Sequence, residues 1–334
     1  MKFRTVVETN HVGLTLNLRN RVLLMGSCFA ENVGRRLVDS KFNCRVNPFG
    51  VLYNPESIGT WLRYAVREKV SPSDFPLLQT DEGWRCWLSD SRFLAQSEEE
   101  CRGRLWQSLQ EVRHDLLHGD VLILTLGTNR CYRLCSTGMV VGNCHKQSSS
   151  MFEEWNMSVG ETIDALECAL VAVWKHNPLL RVVFTVSPYR YAKYGFHGSQ
   201  LGKATLLLAV HDICRRHPEK CAYFPAYEIV LDELRDYRFY AEDMLHPSAQ
   251  AVDYIWERFC EVCVDDDSKA FIKKWMRIRE SLQHRPLHPE SEAYQKFLNT
   301  LAKQLDDLQT QCTDVDFSAE CEDVKSRIES LEQK

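Results

Sequence analysis

Four short segments carry side-chain types from which nucleophilic catalysis can be built. Gly26-Ser27-Cys28 sets a hydroxyl and a thiol side by side directly after a glycine. Gly127-Thr128-Asn129, Ser187-Pro188-Tyr189-Arg190 and Asp243-Met244-Leu245-His246-Pro247 follow in that order along the chain. A nucleophile needs a base, and the base needs a group that orients it. The Asp-x-x-His spacing supplies both from one turn. Asp243 would fix the His246 imidazole and stabilise its cation while the ring takes a proton from Ser27 or Cys28. A developing oxyanion needs N–H donors. Asn129 offers its amide, Gly50 in Asn47-Pro48-Phe49-Gly50 offers backbone unobstructed by a side chain, and the nucleophile's own N–H is aided by the helix that follows it. Singly, each piece has a commoner structural explanation. Asp-x-x-His marks the surface start of a helix, Gly-Thr-Asn a turn, and Gly-Ser-Cys close strand–helix packing. It is the ordered set that points to a site.

These segments need a frame to bring them together, and the apolar pattern supplies one. Residues 21–25, 121–126 and 182–186 are near-continuous apolar runs, and 222–224 is a shorter one. Helical spacing predicts helices over 30–38, 56–67, 98–117, 161–176, 200–217 and 249–262, with 228–234 a further helical candidate. Strands without a polar face that alternate with helices predict an α/β fold whose mainly parallel sheet is covered on both sides. In such a sheet ligands gather beyond the carboxyl ends of the strands, where three of the four segments begin. A hairpin is expected over residues 84–94, and residues 1–20 read as a strand or arm with apolar points at Val6, Leu14 and Leu16. Asp265-Asp266-Asp267 marks a change in composition. A domain over 1–265 is therefore followed by a helical extension over 266–334, with Tyr294, Phe297, Leu298, Leu301, Leu305 and Leu308 at helical spacing. The heptads are too few to define a coiled coil, which leaves open a homodimer through these C-terminal helices.

Composition narrows the function classes. The 334 residues carry a net charge of −5, and the cations are interleaved with apolar residues, which argues against a nucleic-acid surface. No run approaches the roughly 18 apolar residues of a membrane span. The first ten residues lack the apolar core of a signal peptide. Fourteen scattered cysteines fit a reducing compartment, so a cytoplasmic location is expected. Cys260-x-x-Cys263 falls at helical spacing without the second close pair of a zinc site and reads as small core residues. No metal or other cofactor is expected. His145 and His197 lie in loops, as candidates to bind a sugar hydroxyl or as surface histidines. Tyr189 would contribute to a pocket wall. Arg130 and Arg190 are candidates to hold a substrate anion, though no Gly-rich phosphate loop accompanies them.

The sequence resembles the GSCFA family, whose motif stands here as Gly26-Ser27-Cys28-Phe29-Ala30. The agreement continues through Asn47-Pro48-Phe49-Gly50, Gly127-Thr128-Asn129, Asn143-Cys144-His145, Ser187-Pro188, Gln200-Leu201 and Asp243 to Pro247. That family is in turn similar to the SGNH or GDSL hydrolases. The resemblance implies a flavodoxin-like three-layer α/β/α sandwich, ester chemistry, Gly and Asn as oxyanion donors and a late Asp-x-x-His, but no particular substrate. Aligning Gly26 with the first Gly of Gly-Asp-Ser puts Ser27 where that motif has Asp and Cys28 where it has Ser. Register therefore favours Cys28 as nucleophile, and a thiol is also the stronger nucleophile near neutral pH. The expectation is an esterase or O-acyltransferase acting on an acylated small molecule or carbohydrate. The alternatives are an acyltransferase with an acyl-CoA-type donor and a ligand-binding module without catalysis.

Overall fold

Strands that are apolar on both faces need cover on both faces, and the chain order supplies it. A computed structural model describes residues 4–9 and 13–332. The chain runs β1 (Arg21–Gly26), α1 (Cys28–Asp39), β2 (Asn43–Val46) and α2 (Pro55–Val66), then a hairpin of β3 (Leu77–Thr80) and β4 (Gly83–Cys86). After α3 (Glu98–His118) come β5 (Val121–Leu126), β6 (Arg130–Leu134), β7 (Val140–Val141), β8 (Phe152–Asn156), α4 (Val159–His176) and β9 (Arg181–Val186). The remainder is α5 (Gly195–Arg216), β10 (Cys221–Tyr223), the short α6 (Ala226–Glu228) with its π-helical continuation Ile229–Leu234, α7 (Ala249–Cys263), α8 (Asp266–Gln283), α9 (Glu292–Gln311) and α10 (Ser318–Glu332).

Among the described residues, five strands form a parallel sheet in the order β10-β9-β5-β1-β2. Counted along the chain this is 2-1-3-4-5, a doubly wound order whose switch point lies between β1 and β5. Leu23, Met25, Leu122, Leu124, Val182 and Phe184 pack on one face against α2 to α5. Their alternates Val22, Leu24, Ile123 and Val183 pack on the other against α1, α7 and the π-helical turn. Capping fixes where helices start. Asn54 accepts the N–H of Ser57 at 2.8 Å with Pro55 opening α2, and Ser158 and Glu161 form a capping box on α4.

Three elements differ from the sequence expectation. The hairpin closes earlier, because Gly83 at φ +133° allows the turn and a Cβ there would meet the Ala95 carbonyl oxygen at 2.4 Å. Helix α5 starts at Gly195; Phe196 and His197 are exposed, so this first turn has no apolar stripe to betray it. Residues 130–156 hold a three-stranded antiparallel sheet, β7-β6-β8, whose strands are too short and too polar for a clear alternation. Of the N-terminal arm, residues 1–3 and 10–12 lie outside the described residues. Leu14 and Leu16 are buried, Leu16 bridges Val264, and Val6 is exposed.

The C-terminal helices build their own apolar cluster. Phe271, Trp275, Leu298, Leu301, Leu305, Leu308, Phe317 and Val324 pack together, so the α9 stripe is covered within the chain. The cluster docks where α1 ends and β1 begins. Trp275 Nε1 donates to Asp39 O at 2.7 Å, Arg279 pairs with Asp39 at 2.9 Å, and Lys41 pairs with Glu320 at 2.7 Å. This is the end of the sheet opposite Gly26, so these helices do not cover the strand ends that carry the motifs. Among the described residues no helix is long and apolar enough to cross a membrane. All 14 cysteines are described and none is disulfide-bonded.

Candidate active site

The carboxyl end of β1 sets the geometry. Gly26 stands at φ +145°, and a Cβ there would fall 2.2 Å from Thr125 O, so glycine alone lets β1 and β5 close up at this point. Its N–H donates to Asn47 Oδ1 at 2.8 Å. Ser27 takes the extended backbone of an N-cap, donates its own N–H to Thr125 O at 3.0 Å, and is 2% exposed. Its hydroxyl is buried with no hydrogen-bond partner. Cys28 opens α1 and is half-buried. Burial raises its thiol pKa above 9.0, with Glu31 adding to the rise. The N–H groups of Phe29 and Cys28, and the cation of Lys203, pull the other way. The adjacent hydroxyl and thiol are therefore inequivalent: one lies under the strand end, the other on the helix N-terminus with access to solvent.

The Asp243–His246 turn is built as its spacing demands. Met244 adopts φ +58°, which folds the chain so that Asp243 Oδ1 accepts the N–H groups of Leu245 and His246, each at 2.9 Å. Asp243 Oδ2 lies 2.5 Å from His246 Nδ1. The hydrogen bond from the imidazole, then those from the two backbone N–H groups, hold the Asp243 carboxyl down to about 2. An ionised carboxylate only accepts, so Nδ1 carries the proton and Nε2 is the ring atom left to take one.

Tyr189 connects this turn to the nucleophile end. Its ring centroid is 4.3 Å from that of His246. Burial raises its phenol pKa, and Cys28 and Asp243 both contribute to the rise. Tyr53 stands in the same field: its phenol is pushed up to about 12 by burial, then by Cys28, Asp90, Tyr189 and Tyr191. Two tyrosines, Tyr53 and Tyr189, thus feel Cys28, and Tyr189 lies against the His246 ring.

Other expected residues are placed differently. Gly50 is not a donor to the site: its N–H donates to Asn47 O at 2.8 Å. Its φ of +82° and missing Cβ make room for Asp90, whose Cγ would lie 2.0 Å from that Cβ. Asn129 commits one amide N–H to Met157 O at 2.8 Å and keeps the other, since an amide nitrogen has two. Arg190 anchors the Asp243–His246 turn, donating from N to Leu245 O and from Nη1 to Met244 O, both at 3.0 Å, with its guanidinium 4.2 Å over the Phe196 ring. This accounts for its conformation without an anion. His145 is 7% exposed with Nε2 2.8 Å from Cys86 O and Nδ1 buried without a partner; burial lowers its pKa, so it is a neutral support for the 130–156 segment. His197 is exposed on the first turn of α5. Arg130 pairs with Glu154. Cys260 and Cys263 belong to the core beneath α7.

One residue of the site escaped the motif reading. Lys203 is 2% exposed, and Nζ donates to Gly127 O at 2.6 Å and Ser187 O at 2.7 Å, tying the ends of β5 and β9 together. Burial drives its pKa down to about 7, against an upward pull from Cys28. A signal for it exists: Lys203 shares the stripe of Leu206, Val210 and Ile213 on α5, and a lysine in a buried stripe is rarely there for packing.

Next to this centre lies a cleft of about 580 Å³ that shares Tyr53, Thr128 and Tyr191 with it; Arg130, Tyr132, Asn143, Gln147, Phe152 and Glu154 of the 130–156 segment form its far wall.

Comparison with known proteins gives a family. The model described as "GSCFA family" matches residues 21–259, more than half of the chain, and that described as "GSCFA domain protein, C-terminal domain" matches residues 275–330. No curated protein and no solved structure matches the chain.

Proposed function

Because the chain belongs to the GSCFA family, we propose that the site built on that motif carries out acyl transfer through Cys28, on a fold of the SGNH type. The observation that carries this reading is Tyr189, whose ring lies 4.3 Å from that of His246 and whose phenol pKa is raised by both Cys28 and Asp243, residues far apart in sequence. The strand order 2-1-3-4-5, with helices on both faces, supports the three-layer sandwich.

The steps follow from the protonation states. The Cys28 thiol is protonated at rest, because burial opposes its ionisation. His246 Nε2 takes that proton as Sγ bonds to the ester carbonyl carbon. Asp243, ionised at neutral pH, stabilises the resulting imidazolium. The N–H of Cys28 and the second amide N–H of Asn129 are the donors offered to the carbonyl oxygen as it becomes anionic. Collapse breaks the C–O bond, and the alkoxide leaves with the His246 proton as an alcohol. The thioester then passes its acyl group to water, or to an acceptor alcohol, whose proton goes to His246 and from there to Sγ as the thiolate leaves, which restores the resting thiol. Ser27 supports the turn as a buried N-cap.

The test is incubation with p-nitrophenyl acetate, with and without an alcohol acceptor, followed by quenching in acid and peptide mass mapping. The expected result is nitrophenol release with an acetyl adduct on Cys28. An adduct on Ser27, or turnover that survives His246→Ala, overturns the assignment.

A further inference from the structure

We propose that the cleft beside Cys28 is a carbohydrate subsite, which receives the sugar part of an O-acylated glycoside while the acyl group faces Cys28. The inference rests on the acyl-transfer reading and names its substrate class. Position comes first. The cleft opens at the carboxyl end of β5, where Thr128 and Tyr53 line it, and Tyr53 is held at the end of β1 because Leu52 N donates to Gly26 O at 2.9 Å and Tyr53 O accepts the N–H of Gly127 at 2.8 Å. A molecule seated there projects a substituent past Tyr53 toward the thiol.

Its chemistry comes second. Rings of Tyr53, Tyr132, Tyr191 and Phe152 line it together with the amides of Asn143 and Gln147. Aromatic faces suit the C–H faces of a pyranose, and amides, which both donate and accept, suit hydroxyl groups. The charged groups there occur as a network: Arg130 pairs with Glu154, whose Oε1 also accepts from Tyr132 Oη at 3.2 Å, and Lys193 Nζ donates to Tyr132 Oη at 3.2 Å. Two cations and one carboxylate are thus tied to one another and to a phenol, so the aromatic rings and amides carry the fit to a polyol. A volume of about 580 Å³ lies in the range of small-ligand pockets and exceeds what an acetyl group alone would fill.

Third, the wall is a dedicated piece of structure. The sheet β7-β6-β8 leaves the parallel sheet directly after Gly127-Thr128-Asn129, and His145, bound to Cys86 O, braces the loop that carries Asn143 and Gln147. A simple ester needs no such wall.

The experiment compares 6-O-acetylcellobiose with p-nitrophenyl acetate on wild type, Gln147→Ala and Tyr132→Ala, and titrates cellobiose into each protein by calorimetry. Two outcomes support the subsite. Wild type prefers the sugar ester, and each substitution lowers the ratio of the two kcat/KM values by about tenfold, chiefly through KM. Wild type also binds cellobiose, and Tyr132→Ala abolishes the heat. Equal ratios in all three proteins together with no cellobiose heat overturn the subsite and leave the acyl-transfer reading intact. Cellobiose binding that depends on Tyr132, in a protein that cleaves neither ester, keeps the subsite and removes the chemistry. Displacement of bound cellobiose by an acidic peptide but not by excess cellotriose assigns the cleft to a peptide and overturns the proposal.

Discussion

The two ends of the parallel sheet differ in how much strain and how many unpartnered polar groups they hold. At the carboxyl end, Gly26, Asn47, Gly50 and Met244 all have positive φ, the hydroxyl of Ser27 and the amide nitrogen of Asn47 are buried without partners, and a lysine is sealed between two strand ends. The two glycines adopt their φ freely, whereas the left-handed Asn47 and Met244, the two orphaned polar groups and the sealed lysine each cost stability. At the amino end, α8 to α10 bury Phe271, Trp275, Leu298 and Phe317 against one another, and the junction is closed by Trp275 on Asp39 and Lys41 on Glu320. Each of those adds stability. The amino end is not free of such costs, since Lys41 stands at φ +66° and Glu320 Oε2 is buried without a partner, but they are more numerous at the carboxyl end, the distribution expected when one end has a task and the other supports it.

The contrast can be broken most sharply at Cys28. Cys28→Ala should lower ester turnover by about 10⁴-fold, whereas Ser27→Ala should cost less than about tenfold; steady-state p-nitrophenol release reads both, and the reverse ranking would move the task to the hydroxyl. His246→Ala should lose about 10³-fold and Asp243→Asn about 10²-fold, with melting temperatures unchanged because both side chains are largely exposed. A large fall in melting temperature would make the turn a structural element.

Lys203→Met probes the cost directly through pH. The folded state holds Lys203 near pKa 7 against an ordinary 10.5, so between those values the unfolded chain binds the extra proton and stability contributed by this site rises with pH. Below about pH 7 both states carry the proton, and the penalty is constant. The difference in melting temperature, wild type minus variant, should therefore become more favourable from pH 7 to pH 10. A flat difference would mean that the amine is not sealed as it stands here. The smallest effect on turnover is expected at the other end. Trp275→Ala should destabilise by about 3–5 kcal/mol yet leave kcat/KM within about twofold. A drop in kcat/KM at temperatures well below melting would show the two ends to be coupled.

The sheet and most helices were legible because their signals are periodic and local. Val121 to Leu126 has no polar face, and Leu105, Leu109, Val112 and Leu116 recur on one side of α3. The candidate site was legible as an ordered set of strand-end motifs. What each residue does there was less so, since a hydrogen-bond partner distant in sequence leaves no mark on a spacing. Gly50 reads as an open donor until Asn47 O is seen to take its N–H. Arg190 reads as an anion ligand until Met244 and Leu245 are seen to occupy it. Residues 130–156 and the cleft they wall are hidden because three short strands bury only a few residues each, such as Cys131, Leu134 and Val141.

The tie from Arg190 to the carbonyls of Met244 and Leu245 has a further consequence. It fastens the proposed proton acceptor, His246, to the segment after β9, whereas the proposed nucleophile, Cys28, rides on the first turn of α1. The two belong to different pieces of the molecule, and the piece that holds His246 is an exposed loop, which is cheap to open. Heat should therefore separate the pair before it melts the sheet. Activity would fade reversibly over a range in which tryptophan fluorescence reports an intact protein, and the working temperature would be set by one guanidinium on a loop rather than by the core.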